Sequence, residues 1–191
     1  MSLGYREALA SLSADGTALT AAARASLTQG AGATSARYTL PANKLRVGDY
    51  LKIKASGRIS CAVTTPGTAR FSLGIGATDI FDTLAMPLNI VVQTTVPWVL
   101  DVDGRVTAIG TTGNIFWQGT WLSGAAINTA APATGPGPGG FTVPYNVAPV
   151  VGANFDTTIA NLLDLFFTQT VATGSVTLHE YLLSLETSAG F

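Results

Sequence analysis

The stretch WVLDVDGRVTAI, residues 98–109, decides the fold class because its polarity alternates with a period of two. One parity is apolar apart from Gly104, and the other parity carries the charged residues. The pair Asp103-Gly104 is a typical hairpin turn, but a two-residue turn would restart the alternation, which instead continues through the glycine. We therefore predict one long strand, in which Gly104 lies on the buried face and marks a bulge or a close backbone approach.

Short apolar or alternating segments, separated by turn residues, lie on both sides of this strand. They predict further strands over residues 50–60, 69–75, 114–122, 161–169 and 175–186. The link from Thr170 to Gly174 fits a hairpin between the last two strands, and Pro87 indicates an edge strand or a loop crossing. About eight strands or more, without a long helix, predict an all-β fold of the sandwich, jelly-roll or barrel type.

Two changes in composition divide the chain. The first 30 residues are rich in Ala, Ser, Thr and Leu, so we assign 1–30 to an N-terminal arm or first strand and 31–191 to a β-sandwich domain. Within residues 129–140, Pro136 and Pro138 then alternate with Gly135, Gly137 and Gly139. Because proline lacks a backbone donor and both residues disfavour helices, we predict that 129–140 forms neither a helix nor a strand ladder and is an exposed loop.

Within the arm, Tyr5, Leu9 and Leu12 are spaced at i, i+4 and i+7, which suits one face of a short helix. The later stretch from Leu19 to Leu27 is compatible with a helix, with a first strand or with an extended arm. The sequence leaves these alternatives open.

The charge composition excludes several classes of protein. Charged residues make up 11% of the 191 residues, against about 25% in an average protein, and the net charge is −1. There is no basic excess to bind nucleic acid, and no apolar run approaches the length of a membrane helix. Arg6 and Glu7 interrupt the region where a secretory signal needs an apolar core. So few charges indicate that much of the surface is covered by copies of the chain or by a partner.

The residue types needed for catalysis are scarce. His179 is the one histidine, and no G-x-S-x-G motif accompanies it, so a Ser-His-Asp site is not indicated. Cys61 is the one cysteine and has no Lys or His nearby in sequence, which favours a buried structural thiol over a nucleophile. We predict a protein that is not an enzyme and binds no cofactor.

Two pairs of carboxylates and one pair of tryptophans need separate consideration. Asp101 and Asp103 resemble the start of a calcium loop, but the later ligands are missing, so a surface pair is expected. Nothing in the sequence positions the second pair, at 79 and 82, for glycoside hydrolysis. Trp117 and Trp121 are candidates for an interface or for receptor contacts by stacking on sugars, although such residues more often belong to a core.

Four motifs carry a resemblance to a known family. They are YTLPAN at 38–43, ASGRIS at 55–60, TTPGT at 64–68 and LHEY at 178–181. With the strands around them they are similar to a family of small structural proteins encoded by tailed bacteriophages, over most of the chain from about Asp15. The resemblance implies a jelly-roll-like domain on the virion surface, trimeric, without an active site. Similar proteins are candidates for capsid decoration.

These observations lead to one main expectation about function and two alternatives. We expect a capsid decoration protein, assembled in the host cytoplasm, whose partners are its own copies in a homotrimer and the major capsid protein of the phage. It would stabilise the head by binding between shell subunits, with Tyr5, Arg6, Leu9 and Leu12 as the contact arm. The alternative is a tail-associated receptor-binding jelly-roll module, and a polysaccharide hydrolase ranks third.

Overall fold

The computed structural model describes residues 5–29, 36–61, 67–89, 91–127, 139–149, 151–171 and 174–187. The regular structure in these ranges consists of twelve strands and no helix. The strands are β1 (Tyr5–Ser11), β2 (Arg24–Ser26), β3 (Tyr38–Leu40), β4 (Tyr50–Cys61), β5 (Thr68–Ile75), β6 (Thr78–Asp82), β7 (Met86–Pro87), β8 (Gln93–Ala108), β9 (Asn114–Ser123), β10 (Gly139–Val143), β11 (Asn161–Gln169) and β12 (Ser175–Thr187). The predicted all-β class is confirmed, as are the five strands predicted around residues 98–109.

The strands form two antiparallel sheets. Sheet A has the order β1-β12-β4-β8-β9-β10, and sheet B has the order β2-β11-β5-β6, with β3 beside β11 and β7 beside β5. Early strands pair with late ones, β1 with β12 and β2 with β11, while the middle strands pair as β4 with β8 and β5 with β6. This pairing of a chain folded back on itself is that of a jelly roll, to which β9 and β10 add an extension of sheet A.

The strand β8 confirms the prediction of one long strand through Gly104. It runs from Gln93 to Ala108 between β4 and β9. Its buried parity includes Trp98, Leu100, Val102, Gly104 and Val106. Gly104 marks a close approach rather than a bulge, because the indole of Trp117 lies opposite and would be 2.2 Å from a Cβ atom at this position.

Aromatic side chains from both sheets form the centre of the core. The ring of Phe71 in sheet B lies 5.0 Å from that of Trp98 and 5.9 Å from that of Trp121, both in sheet A. Phe167 of β11 approaches the same phenylalanine edge-on at 5.0 Å. The two sheets therefore share one hydrophobic core, to which every tryptophan contributes a fully buried ring.

The prediction of a helix over Tyr5, Leu9 and Leu12 is wrong, because residues 5–11 form strand β1, paired with the edge of β12, and Leu12 continues beside β12. The register shifts between Ala8 and Ala10, so one extra residue interrupts the alternation at Leu9. A strand with such a bulge shows apolar residues at spacings that imitate a helix. The open stretch that follows contains β2 at Arg24–Ser26, paired with β11 in sheet B.

The prediction of a hairpin between the last two strands is also wrong. The strand β11 lies in sheet B and β12 lies in sheet A, so the link between them crosses from one sheet to the other. Two consecutive strands of similar apolar character give no local signal for this difference, because the partners of each strand come from distant parts of the chain.

The predicted loop 129–140 overlaps the start of a strand. Gly139 and Gly140 belong to β10 and pair with Ser123 and Leu122 of β9. Glycine keeps its backbone N–H, unlike proline, and so joins the ladder. Residues 129–138 lie outside the described part of the chain. Pro87, as predicted, occupies a short edge strand, β7, opposite Thr68.

Candidate interaction surfaces

A row of ion pairs crosses the outer face of sheet A. The Glu186 carboxylate lies 3.7 Å from Nε of Arg6 on β1 and 3.2 Å from Nζ of Lys52 on β4. Nζ of Lys52 also lies 3.6 Å from Oδ1 of Asp103 on β8. Hydrogen bonding to Glu186 raises the pKa of Lys52. These half-exposed pairs align four neighbouring strands and give the face an alternating pattern of charge.

A groove of about 480 Å³ lies beside this row, where β12, β4 and β8 run next to each other. Its lining includes Lys54, Ser56, Val99, Asp101, Glu180 and Leu182. Nζ of Lys54 is 3.3 Å from Oδ2 of Asp101, and the Ser56 hydroxyl donates to Glu180 at 3.0 Å. Leu122 pairs with Val99 in the ladder between β8 and β9. It lies beside the groove and is 53% exposed. An apolar centre with a polar rim is the usual anatomy of a protein–protein contact. We call this area the sheet A groove.

On the outer face of sheet B, two arginines pair with the acidic residues considered for glycoside hydrolysis. Nε of Arg70 donates to Oδ1 of Asp82 at 2.7 Å, and this bond raises the pKa of Arg70. Nη2 of Arg24 donates to Oδ1 of Asp79 at 2.6 Å, while its guanidinium covers the ring of Phe166 at 3.3 Å. Charge-assisted hydrogen bonds of this kind hold both partners in fixed positions. These ion pairs connect β2, β5 and β6 across the outer face of sheet B.

The side chains of His179 and Cys61 both take part in contacts that hold neighbouring segments of the fold together. His179 is the extra residue at a bulge in β12, and its Nδ1 lies 2.8 Å from Oδ1 of Asp15. The Cys61 thiol is buried and donates to the carbonyl of Asn89 at 3.5 Å. Burial raises the pKa of Cys61, which lowers the fraction of reactive thiolate. Within the described part of the chain, no three His, Cys, Asp or Glu side chains come together as a metal site.

The residues of the predicted contact arm have different surroundings. Tyr5 is 64% exposed, and Arg6 belongs to the ion-pair row of sheet A. Leu9 and Leu12 pack against the core of their own chain. Of the three apolar residues in this set, Tyr5 is therefore the one that the fold leaves free for a partner.

Trp117 and Trp121 lie in the core instead of on a contact surface. Their exposed fractions are 1% and 0%, and Trp121 stacks on the ring of Phe141 at 5.9 Å. Neither tryptophan offers a ring face to an external sugar. Trp117 only reaches the lining of a small groove of about 160 Å³ between β6 and residues 151–153. Alternating positions on β9 face inward, which is why aromatic residues at this spacing are buried.

The described strand ends beside the uncharged stretches of the sequence lie together at one end of the sandwich, a feature that the sequence motifs do not show. Four stretches lack Lys, Arg, Asp and Glu, namely 59–69, 83–100, 106–155 and 165–178. They contain the connections β4–β5, β7–β8, β9–β10 and β11–β12. The register brings together the strand ends that flank these connections, since Cys61 pairs with Gln93, Ser175 with Ser60, Ala69 with Gln169, and Ser123 with both Trp98 and Gly139.

Comparison with known proteins leaves the family of this chain open. No family model and no curated protein matches the sequence. Among solved structures, the CBM2 module of the evolved Dit of Lactobacillus casei BL23 phage J-1 is similar, with 10% sequence identity and a TM-score of 0.29. The match covers 78% of this chain and 67% of that one. A likeness this distant assigns neither a family nor a function. None of the described ranges contains a helix long and apolar enough to cross a membrane.

Proposed function

We propose that this chain is a structural protein of a tailed-bacteriophage virion and that it acts by binding, without catalysis. The sheet A groove carries the proposal, because an apolar centre bordered by paired charges fits a protein surface. The motifs that resemble small phage structural proteins and the jelly-roll order of the strands support it. The acidic residues considered for catalysis are engaged by arginines, which supports a role without turnover.

Within the virion, we propose a tail-associated binding module. Such a module needs a rigid sandwich with an exposed recognition surface, which the sheet A groove supplies. Decoration of the head is the second candidate. Decoration was expected to use a contact arm, but two of the arm's apolar residues, Leu9 and Leu12, pack against the core of their own chain. The exposed Tyr5 is the observation that still favours the head.

Antibody-gold labelling of intact virions tests both positions. Gold confined to the tail is the expected result and supports the binding module. Gold spread over the head would support decoration and overturn the tail position. Particles that carry no gold, although the protein is made in infected cells, would contradict the virion assignment altogether.

A matched pair of charge insertions tests the sheet A groove. Leu122→Asp places a carboxylate beside the groove, where burying it against a partner is costly, so we expect incorporation into particles to fall about tenfold or more. Leu162→Asp is the control, because Leu162 is 44% exposed on β11 in the other sheet. Quantitative immunoblotting of purified particles measures both variants. Equal incorporation of the two would show that the groove is not the binding surface.

A further inference from the structure

We propose that the sheet A groove receives an arginine side chain from the protein to which this chain binds. This occupant rests on the proposed function, because that function places a protein partner on the groove. The lining supplies apolar surface for the aliphatic part of an arginine side chain. The rim supplies a carboxylate, that of Glu180, for the guanidinium group.

The shape of the groove comes from short side chains in the middle of a row of longer ones. Across the outer face of sheet A, the register aligns four residues of neighbouring strands, namely Glu180, Ser56, Val99 and Leu122. Ser56 and Val99 are shorter than the residues at the two ends of this row, and both line the groove. Leu182, two residues along β12 from Glu180, adds a further apolar part of the lining. An elongated side chain of a partner therefore has room to lie across β12, β4 and β8.

The groove contains one carboxylate without a cationic partner. Lys54 and Asp101 neutralise each other, since Nζ lies 3.3 Å from Oδ2. Glu180 accepts a hydrogen bond from the Ser56 hydroxyl at 3.0 Å, but within the described ranges it forms no ion pair. Arg58, the next outward-facing residue on β4, lies outside the lining and is not paired with Glu180. With one lysine and two carboxylates, the lining has a net charge of −1.

A guanidinium at the end of an aliphatic stem matches both parts of this surface. Arginine packs its methylene groups along apolar surface while its charged head stays at a wet rim. Its planar donors pair with a carboxylate through two parallel hydrogen bonds, which a lysine ammonium does not form. A purely apolar side chain would leave the Glu180 carboxylate against the partner without a compensating charge, which costs free energy. A sugar is less favoured, since the aromatic residue in the lining, Tyr181, is buried.

Titration of the full chain with N-acetyl-arginine methylamide, followed by NMR, tests this assignment. We expect the backbone amide signals of Ser56, Val99 and Glu180 to shift, with a dissociation constant of roughly 1–10 mM for so small a probe. Raising NaCl from about 0.1 M to about 1 M should weaken the binding, because the rim carboxylate is exposed to screening. The absence of shifts at the groove at about 50 mM probe would overturn the proposal. N-acetyl-lysine methylamide should bind more weakly, and equal binding of the two probes would overturn the choice of arginine.

Two variants that each remove one negative charge localise the contact. Glu180→Gln keeps the shape of the side chain and still accepts the hydrogen bond of Ser56, so it isolates the charge. It should raise the dissociation constant of the arginine probe about tenfold. Asp103→Asn is the matched control, because Asp103 lies on the same face outside the groove lining, and it should bind the probe like the parent chain. Equal weakening by the two variants would show that the probe follows the general charge of the face, and the proposal would fail.

Incorporation into particles separates the failure of this proposal from that of the proposed function. Glu180→Lys should lower incorporation about tenfold or more, because its ammonium would face the guanidinium of the partner. If Glu180→Lys is incorporated like the parent chain while Leu122→Asp is depleted, the groove is the binding surface but no arginine enters it, and this proposal is overturned. Virions without gold would overturn the proposed function by a measurement that does not involve Glu180.

Discussion

At the scale of single residues, the contact between Gly104 and Trp117 connects the local pattern to the core. The two residues lie directly opposite each other on β8 and β9. The indole fills the space that a side chain at position 104 would need, with its nearest carbon 2.2 Å from the site of a Cβ atom. A glycine in the middle of a strand usually weakens it, but here the missing side chain makes room for a large buried ring.

This contact predicts a large effect of Gly104→Val. The new side chain would overlap the indole ring, so we expect a loss of about 1 to 3 kcal/mol or more in the free energy of unfolding. Gly124→Ala is the control, because its nearest neighbour, Val96, would be 3.7 Å from the added carbon. Urea denaturation followed by tryptophan fluorescence measures both. Similar midpoints for the two variants would mean that Trp117 does not occupy this space.

At the scale of elements, the N-terminal strands complete the edges of both sheets. The strand β1 covers one side of β12. After β1 the chain continues along β12, because the N–H of Leu12 donates to the carbonyl of Tyr181 and the N–H of Leu19 donates to the carbonyl of Val176. The chain then crosses to sheet B, where β2 covers β11. Deleting the first 30 residues would therefore expose two strand edges, and such a deletion cannot isolate a role in capsid binding.

Removal of β1 alone predicts a loss of stability and of solubility. Deleting residues 1–11 uncovers the β12 edge and removes Leu9 from the core, so the free energy of unfolding should fall by more than about 2 kcal/mol. Light scattering should also detect aggregation through the open edge. Tyr5→Ser is the control, since this exposed side chain should change stability by less than about 0.5 kcal/mol. An unchanged urea midpoint after the deletion would show that β1 is a free arm.

At the scale of the whole molecule, the two sheets share one core, and the charge differs from one surface to another. The outer face of sheet A carries ion pairs and a groove, and that of sheet B carries paired arginines. At one end, the described strand ends contain no Lys, Arg, Asp or Glu. Between the sheets, Phe71 touches rings from both layers. Because neither sheet can bury its inner face alone, the layers depend on each other for stability.

The common core predicts a single unfolding transition. Far-UV circular dichroism reports the strands of both sheets, and tryptophan fluorescence reports three rings that all lie between the sheets. We expect the two signals to change at the same urea concentration. An earlier transition seen by circular dichroism alone would indicate that part of the sheet edges, such as the segment 5–29, unfolds as a separate unit.

The sequence by itself determined the all-β class, the long strand through Gly104 and the main strands around it, because alternation is a property of consecutive residues. It predicted a helix instead of a strand for the segment from Tyr5 to Leu12, because a bulge interrupts the alternation there. It also indicated the scarcity of charge without showing where the uncharged stretches meet.

Only the tertiary structure decided which strands are neighbours. It placed β11 and β12 in different sheets and turned Trp117 and Trp121 inward. It also brought together the residues of the sheet A groove from three strands that are far apart in the chain. The physical reason is that backbone hydrogen bonds between distant segments set the pairing, and strands of similar apolar pattern do not specify their partners locally.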